Sequence, residues 1–136
     1  KEGPLTRDEQ QLVKEHPDLG ASILGPVEQL SAVLPGIVDH HERYDGRGYP
    51  RRLKGDEISL QGRLIAIADT FDAMTHDRPF RRACTPAHAL SEITGQAGAQ
   101  FDPSLVPVFV ECYRDLDLEH TPLDELLPPA DPGLEF

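Results

Sequence analysis

Leu60, Leu64, Ile67, Phe71 and Met74 recur at spacings of four, three, four and three residues. That rhythm fits one face of an α-helix and no strand. Ser59 stands just before it as an N-cap. A long helix over 60–75 is therefore predicted, with this stripe turned to the core. No segment shows the sustained apolar–polar alternation with a period of two that a half-buried strand requires. The 13 prolines and 11 glycines punctuate the rest into short helices and loops. The fold class expected is all-α.

Thr6 and Glu9 form a capping-box pair at the head of a first helix, with Leu12 and Val13 expected inward. His16-Pro17 interrupts it, because the residue before proline is biased out of the α region. A second helix over 18–24 turns Ile23 and Leu24 inward and ends at Gly25-Pro26. A third is predicted over 27–34. Pro35 opens a fourth, which delivers Ile37, Val38, His40 and His41. Thr85-Pro86 starts a helix with Ala89, Leu90 and Ile93 inside. Phe101-Asp102-Pro103 caps the last one, over 104–114, built on Leu105, Val106, Phe109, Val110 and Tyr113. Residues 1–114 read as one domain, and 115–136 as an acidic, proline-rich tail or linker.

Formal net charge is −11. Such a chain does not suit a nucleic-acid polymer or an anionic membrane surface. An anionic ligand must be gathered by local cations or metals. No apolar run is long enough to span a bilayer. Cys84 and Cys112 stand far apart in no paired motif, which fits reduced thiols and a cytoplasmic location. The chain opens on Lys1, and the expectation is that it is a trimmed piece of a longer protein.

Residues 40–50, HHERYDGRGYP, carry a composition that packing does not require. Neutral imidazole is a ligand for Fe, Mn and Zn. Adjacent helical residues point about 100° apart, so His40 and His41 suit two neighbouring ions better than one. The bland alternative is a helix-end pair near Glu42. Gly46 and Gly48 permit positive φ in the loop that follows, and Pro50 stiffens its exit. Asp69 interrupts a nearly apolar run, where a carboxylate is costly unless paired or metal-bound. Its alternative is a helix-margin residue facing water. Asp72 lies one turn on, with His76 on the same face. His16 on its own reads as a helix-terminal histidine. Arg78, Arg81 and Arg82 form the dense basic cluster near these carboxylates. They suit phosphate oxygens, whose geometry a guanidinium matches in a fork, or else a salt-bridged helix end. His76, His88 and His120 read as surface residues. Together the candidates describe hardware for phosphoester hydrolysis by metal-activated water.

These motifs, in this order, resemble the HD-GYP domain family. HHERYDGRGYP matches its HHExxDGxGYP signature. Lys14-Glu15-His16-Pro17 with Gly20 and Ile23-Leu24 is similar to its xxHPxxGxxIL segment. Leu53-Lys54-Gly55-Asp56-Glu57-Ile58 resembles its LKGEEI loop. Ala68-Asp69-Thr70-Phe71-Asp72-Ala73-Met74-Thr75 with Asp77-Arg78-Pro79-Phe80-Arg81 is similar to ADxxDAxTxxRPYR. Gly98-Ala99-Gln100-Phe101-Asp102-Pro103 is similar to GTQFDP. The resemblance covers residues 1–113.

It implies an HD-domain-like helical bundle and a phosphodiesterase that hydrolyses cyclic di-GMP to pGpG or GMP. It implies two or three divalent metal ions, commonly iron or manganese. His16, His40, His41 and Asp69 correspond to metal ligands. Asp72, Arg78 and Arg81 correspond to ligand-site residues, and Tyr49 to a loop that lines the substrate site and meets partners such as diguanylate cyclases. The family's His-Asp pair, with its lysine, and a further ligand-bearing helix lie upstream of the position matching Lys1. The expectation is therefore a partial bundle with part of the metal shell, inactive by itself. Exposed apolar faces and association, for instance as a homodimer, are expected with it. The alternative is a non-catalytic cyclic di-GMP receptor or a module that binds partners through the loop.

Overall fold

The computed structural model of the chain describes residues 6–78 and 81–116. Among these residues the architecture is helical: α1 (Arg7–Lys14), α2 (His16–Leu24), α3 (Leu34–Asp39), α4 (Leu60–Thr75), α5 (Pro86–Gly95) and α6 (Leu105–Asp115). Short 3₁₀ turns occupy Glu28–Leu30 and Gly55–Glu57. The extended pairing consists of two isolated bridges, Arg78 with Arg81 and Ala97 with Phe101. The all-α expectation holds. The tail expected over 115–136 falls beyond the described residues from 117 on.

Local chemistry sets the helix ends. Thr6 and Glu9 close the capping box on α1, with the Thr6 Oγ1 accepting from the Glu9 amide at 3.3 Å. Ser59 caps α4 by accepting from the Gly62 amide at 3.1 Å. Thr85 caps α5 by accepting from the His88 amide at 3.3 Å. The predicted helix over 27–34 is instead the 3₁₀ turn followed by a hydrogen-bonded turn over 31–33, and α3 begins only at Leu34. Pro35 sits in the first turn of α3, where its missing N–H is harmless. The helix stops at Asp39, so His40 is its C-cap and His41 lies in the turn beyond.

Helices α4, α5 and α6 enclose the core. Ile67, Ile93, Phe101 and Val106 are buried together, with Ala66, Phe71, Leu105, Phe109 and Val110 packed around them. Phe71 meets Phe109 edge-on at 5.6 Å between ring centroids. Helix α3 crosses the first half of α4 and also packs on α2. The α4 stripe is core only in part. Ile67 is fully buried, whereas Leu60 and Leu64 are about half exposed, at 52% and 44%. Leu12, Val13 and Ile23, expected inward, are exposed as well. Periodicity identifies an apolar face but does not supply the surface that covers it. Among the described residues nothing covers these side chains of α1, α2 and the start of α4.

Candidate metal centre and its loop

His16 opens α2, and His40 and His41 follow α3; the α2–α3 packing carries all three to one place. One nitrogen from each ring lies within 4.8 Å of the others. Between ε nitrogens, His16 stands 3.1 Å from His41 and 3.4 Å from His40. The opposite ring nitrogens show which atoms are free. His16 Nδ1 donates to the Val13 carbonyl at 2.5 Å, and His40 Nδ1 to the Ile37 carbonyl at 2.6 Å. A neutral imidazole that donates through Nδ1 leaves a lone pair on Nε2. Convergent lone pairs repel unless a cation or proton lies among them. An Nδ1–H bonded to a carbonyl is also the arrangement that orients metal-binding histidines. The donor set thus fits a transition-metal ion. His41 agrees. Burial first, then the neighbouring His40 and His41-facing His16 rings, lower its pKa from 6.5 to about 4, against a raising effect of Asp69. At neutral pH its ring is unprotonated, the state in which an imidazole can bind a metal.

Asp69 lies on the exposed side of α4 and is not one of the three clustered candidates. It is close enough for its charge to act on both His41 and Tyr49. Its solvent-facing position answers the question raised by its apolar neighbours: the carboxylate is not buried. Asp72 follows one turn later, about 4.5 Å along the helix axis. Asp72 Oδ1 meets His76 Nδ1 at 3.1 Å, and its Oδ2 stands 4.0 Å from Arg78 Nη2. Beyond the helix end, the Arg78 and Arg81 backbones pair at 2.8 and 3.0 Å, and the Arg81 guanidinium donates to the Ala73 carbonyl. Arg78 and Arg81 thus share a turn past the end of α4, with both residues exposed. His76 and His88 are exposed, as expected; His120 lies outside the described residues.

The loop after the histidines is built on its own carboxylates. Asp45 accepts from Arg43 Nε and Nη2 at 3.1 and 2.8 Å and from the Arg47 amide at 3.1 Å. The Arg43 bonds chiefly, opposed by burial and helped by the Arg47 amide, bring Asp45 down to about 2. Gly46 turns with φ of +82°, as a glycine there should. Gly48 does not adopt positive φ. It is needed because an added Cβ would fall against the Glu42 and Arg43 backbone, 2.6 Å from the Glu42 carbonyl carbon. The Tyr44 and Asp45 amides donate to the Gln100 and Ala99 carbonyls at 3.1 and 2.9 Å, which ties this loop to the turn before α6. The Tyr49 ring stacks on His41, with centroids 4.8 Å apart and planes 21° from parallel. Burial, then Asp69, raises the Tyr49 pKa, so its phenol is neutral.

Three residues at this site have contacts that a motif alone does not give. Lys14 places its ammonium 5.9 Å from the Tyr49 ring centroid. Asp39, 2% exposed, accepts from the Ser59 amide at 3.0 Å and pairs with Arg51. Glu42, 3% exposed, accepts from the Arg51 and Leu53 amides at 2.6 and 3.0 Å. A carboxylate directly after Ile37-Val38 was the available signal for Asp39. For Glu42 no spacing rule exists, because its partners are backbone amides of a loop.

Comparison with known proteins agrees with this geometry. The family model described as an HD domain matches residues 1–105. A cyclic di-GMP phosphodiesterase response regulator of Xanthomonas campestris is 42% identical over 121 residues, covering 86% of this chain and 32% of the regulator. A cyclic di-GMP phosphodiesterase of Thermotoga maritima is 38% identical over 120 residues, covering 85% and 32%. A 3′3′-cGAMP-specific phosphodiesterase of Vibrio cholerae is 38% identical over 117 residues, covering 85% and 22%. The crystal structure of a cyclic GMP-AMP-specific phosphodiesterase from V. cholerae superposes with a TM-score of 0.71 at 29% identity, over 93% of this chain and 31% of that one. The chain spans less than a third of the length of each of these relatives. With the family match running from the first helix into α6, through the histidine cluster and its loop, this chain belongs to the HD domain family, in its HD-GYP branch.

Proposed function

We propose that this chain carries the metal-binding and nucleotide-facing part of a phosphodiesterase acting on cyclic di-GMP. The convergence of three imidazole nitrogens, two of them with the opposite ring nitrogen bonded to a carbonyl, carries the reading. His16, His40 and His41 would hold the metal, with Asp69 as the adjoining carboxylate. Iron or manganese, as two or three ions, is the occupancy that the family resemblance implies. When bound, such a centre supplies Lewis acidity and hydroxide at neutral pH.

The remaining residues divide the work of holding the nucleotide. Tyr49, stacked on His41, presents an apolar wall with a neutral hydroxyl beside the ligands. Arg78 and Arg81 offer forked donors for phosphodiester oxygens. Asp72 lies in sequence between Asp69 and the arginine turn, with its carboxylate beside His76 and Arg78. An otherwise acidic chain thereby offers cationic groups where an anionic substrate has to sit.

Calorimetry of the purified chain with Mn(II) tests the first half. Wild-type protein binds, and His16→Ala and His40→Ala each lose at least tenfold in affinity, about 1.4 kcal/mol. A wild-type protein that takes up neither Mn(II) nor Fe(II) refutes the metal centre. Chromatography of cyclic di-GMP incubated with the loaded chain tests the second half, with pGpG or GMP as products. Binding without turnover supports a second reading, a receptor or partner-docking module. The observation favouring that reading is the pinned loop, which presents exposed Arg47 on a preformed turn and could meet a diguanylate cyclase. It would also fit the expectation that this chain is inactive by itself.

A further inference from the structure

We propose that Glu42 is a positioning residue, holding Tyr49 face-on to His41 at the mouth of the histidine cluster. Its carboxylate is 3% exposed and takes no part in the cluster. Both of its oxygens are used on backbone. Oε1 accepts from the Arg51 amide at 2.6 Å and Oε2 from the Leu53 amide at 3.0 Å. These amides lie just past Tyr49, so the chain leaving the tyrosine is fastened to the residue that follows His41. The other side of Tyr49 is fastened too. Its amide donates to the His41 carbonyl at 3.2 Å, and Gly48 lies against the Glu42 and Arg43 backbone where no side chain fits. Residues 41 and 42 thus hold 49–53 by three hydrogen bonds, with Gly48 packed against the Glu42 and Arg43 backbone, and the backbone on both sides of the ring is fixed.

The carboxylate suits this role because it presents two acceptors in a fixed plane to two amides. Charge-assisted bonds of this kind are stronger than neutral ones. A glutamine offers one acceptor and turns its NH₂ toward the second amide, donor against donor. An aspartate keeps the charge but is one methylene short of reaching both.

For its nucleotide readout this inference rests on the phosphodiesterase reading; for its geometric readout it does not. Glu42→Gln and Glu42→Asp are compared with wild type by far-UV circular dichroism, Mn(II) calorimetry, cyclic di-GMP binding to the Mn(II)-loaded chain, and the NMR shifts of the His41 ring protons. Tyr49→Ala and the Glu42→Gln/Tyr49→Ala double variant complete a cycle. Helix content is unchanged. Mn(II) affinity moves by no more than about threefold, because His16 and His40 are fastened through their Nδ1 bonds, away from Glu42. Nucleotide affinity falls about ten- to hundredfold, the range for a displaced binding group. The double variant loses no more than Tyr49→Ala alone, since Glu42 acts through that ring. The His41 ring protons lose the ring-current shift of Tyr49 in Glu42→Gln. Unchanged His41 shifts, or additive losses in the cycle, overturn the proposal. If the wild-type chain binds no cyclic di-GMP, the phosphodiesterase reading fails while the His41 shifts still decide the role of Glu42. Should Glu42→Gln not fold, Glu42→Asp provides the same readouts, with a smaller displacement expected.

Discussion

Asp39 provides a quantitative test of how the site is held. One oxygen accepts from the Ser59 amide at 3.0 Å, at the head of α4, and the other pairs with Arg51, past the Tyr49 loop. The side chain is 3% exposed and directly precedes the two histidines. Asp39→Ala removes both contacts. A donor stripped of its acceptor at a buried site costs about 1–3 kcal/mol. Arg51 is 53% exposed, so its ion pair adds at most about 1 kcal/mol. The sum is about 1–4 kcal/mol. Asp39→Asn retains an oxygen for the Ser59 amide and loses only the ion pair, at about 1 kcal/mol. In urea, with a slope of about 2 kcal/mol per molar, the midpoint falls by about 0.5–2 M for Asp39→Ala and by at most about 0.5 M for Asp39→Asn. Circular dichroism of α-helix content reads both. Equal shifts for the two variants would show that charge, not the Ser59 bond, carries the stabilisation. A shift below about 0.25 M for Asp39→Ala would refute the argument altogether.

Two further outcomes follow from the described contacts. Burial raises the Asp102 carboxyl, but the Ser104 hydroxyl and amide and the Arg63 guanidinium outweigh it, so its pKa lies below the ordinary value. The stability this contributes is complete above the unfolded carboxylate range and disappears as pH falls through the lower folded value. Thermal melts from pH 6 down to pH 2 should therefore show a drop below about pH 4 that is smaller in Asp102→Asn; parallel curves would refute the assignment. Arg78→Ala should leave the melting temperature within about 1 °C, because its pair with Asp72 is exposed on both sides. In the Mn(II)-loaded chain it should weaken cyclic di-GMP binding about tenfold and lessen the dependence on salt; an unchanged affinity would remove Arg78 from the phosphate site.

The stretches that were legible before folding are those whose chemistry is local. A capping box, a serine cap and a threonine cap are each decided within four residues, and all three stand where the sequence places them. Burial was legible where neighbouring helices close over a face, as at Ile67 and Ile93, and not at Leu12 or Leu64, where among the described residues they do not. The run over 27–34 misleads because its apolar spacing satisfies a helix while α3 claims its last residue. At the site, the ligand candidates were legible as residue types. Their relationships were not: His16 is 24 residues from His40, and only the packing of α2 on α3 makes their nitrogens neighbours at 3.4 Å.

By itself, then, the sequence determined the helical class, the caps, and the histidines, arginines and loop glycine available for chemistry, because each depends on side-chain type and short spacing. Tertiary structure decided which nitrogens are free, which carboxylates are buried, and why Gly48 has to be a glycine. Those properties belong to groups brought together from distant segments, where a backbone amide of one stretch completes the carboxylate of another.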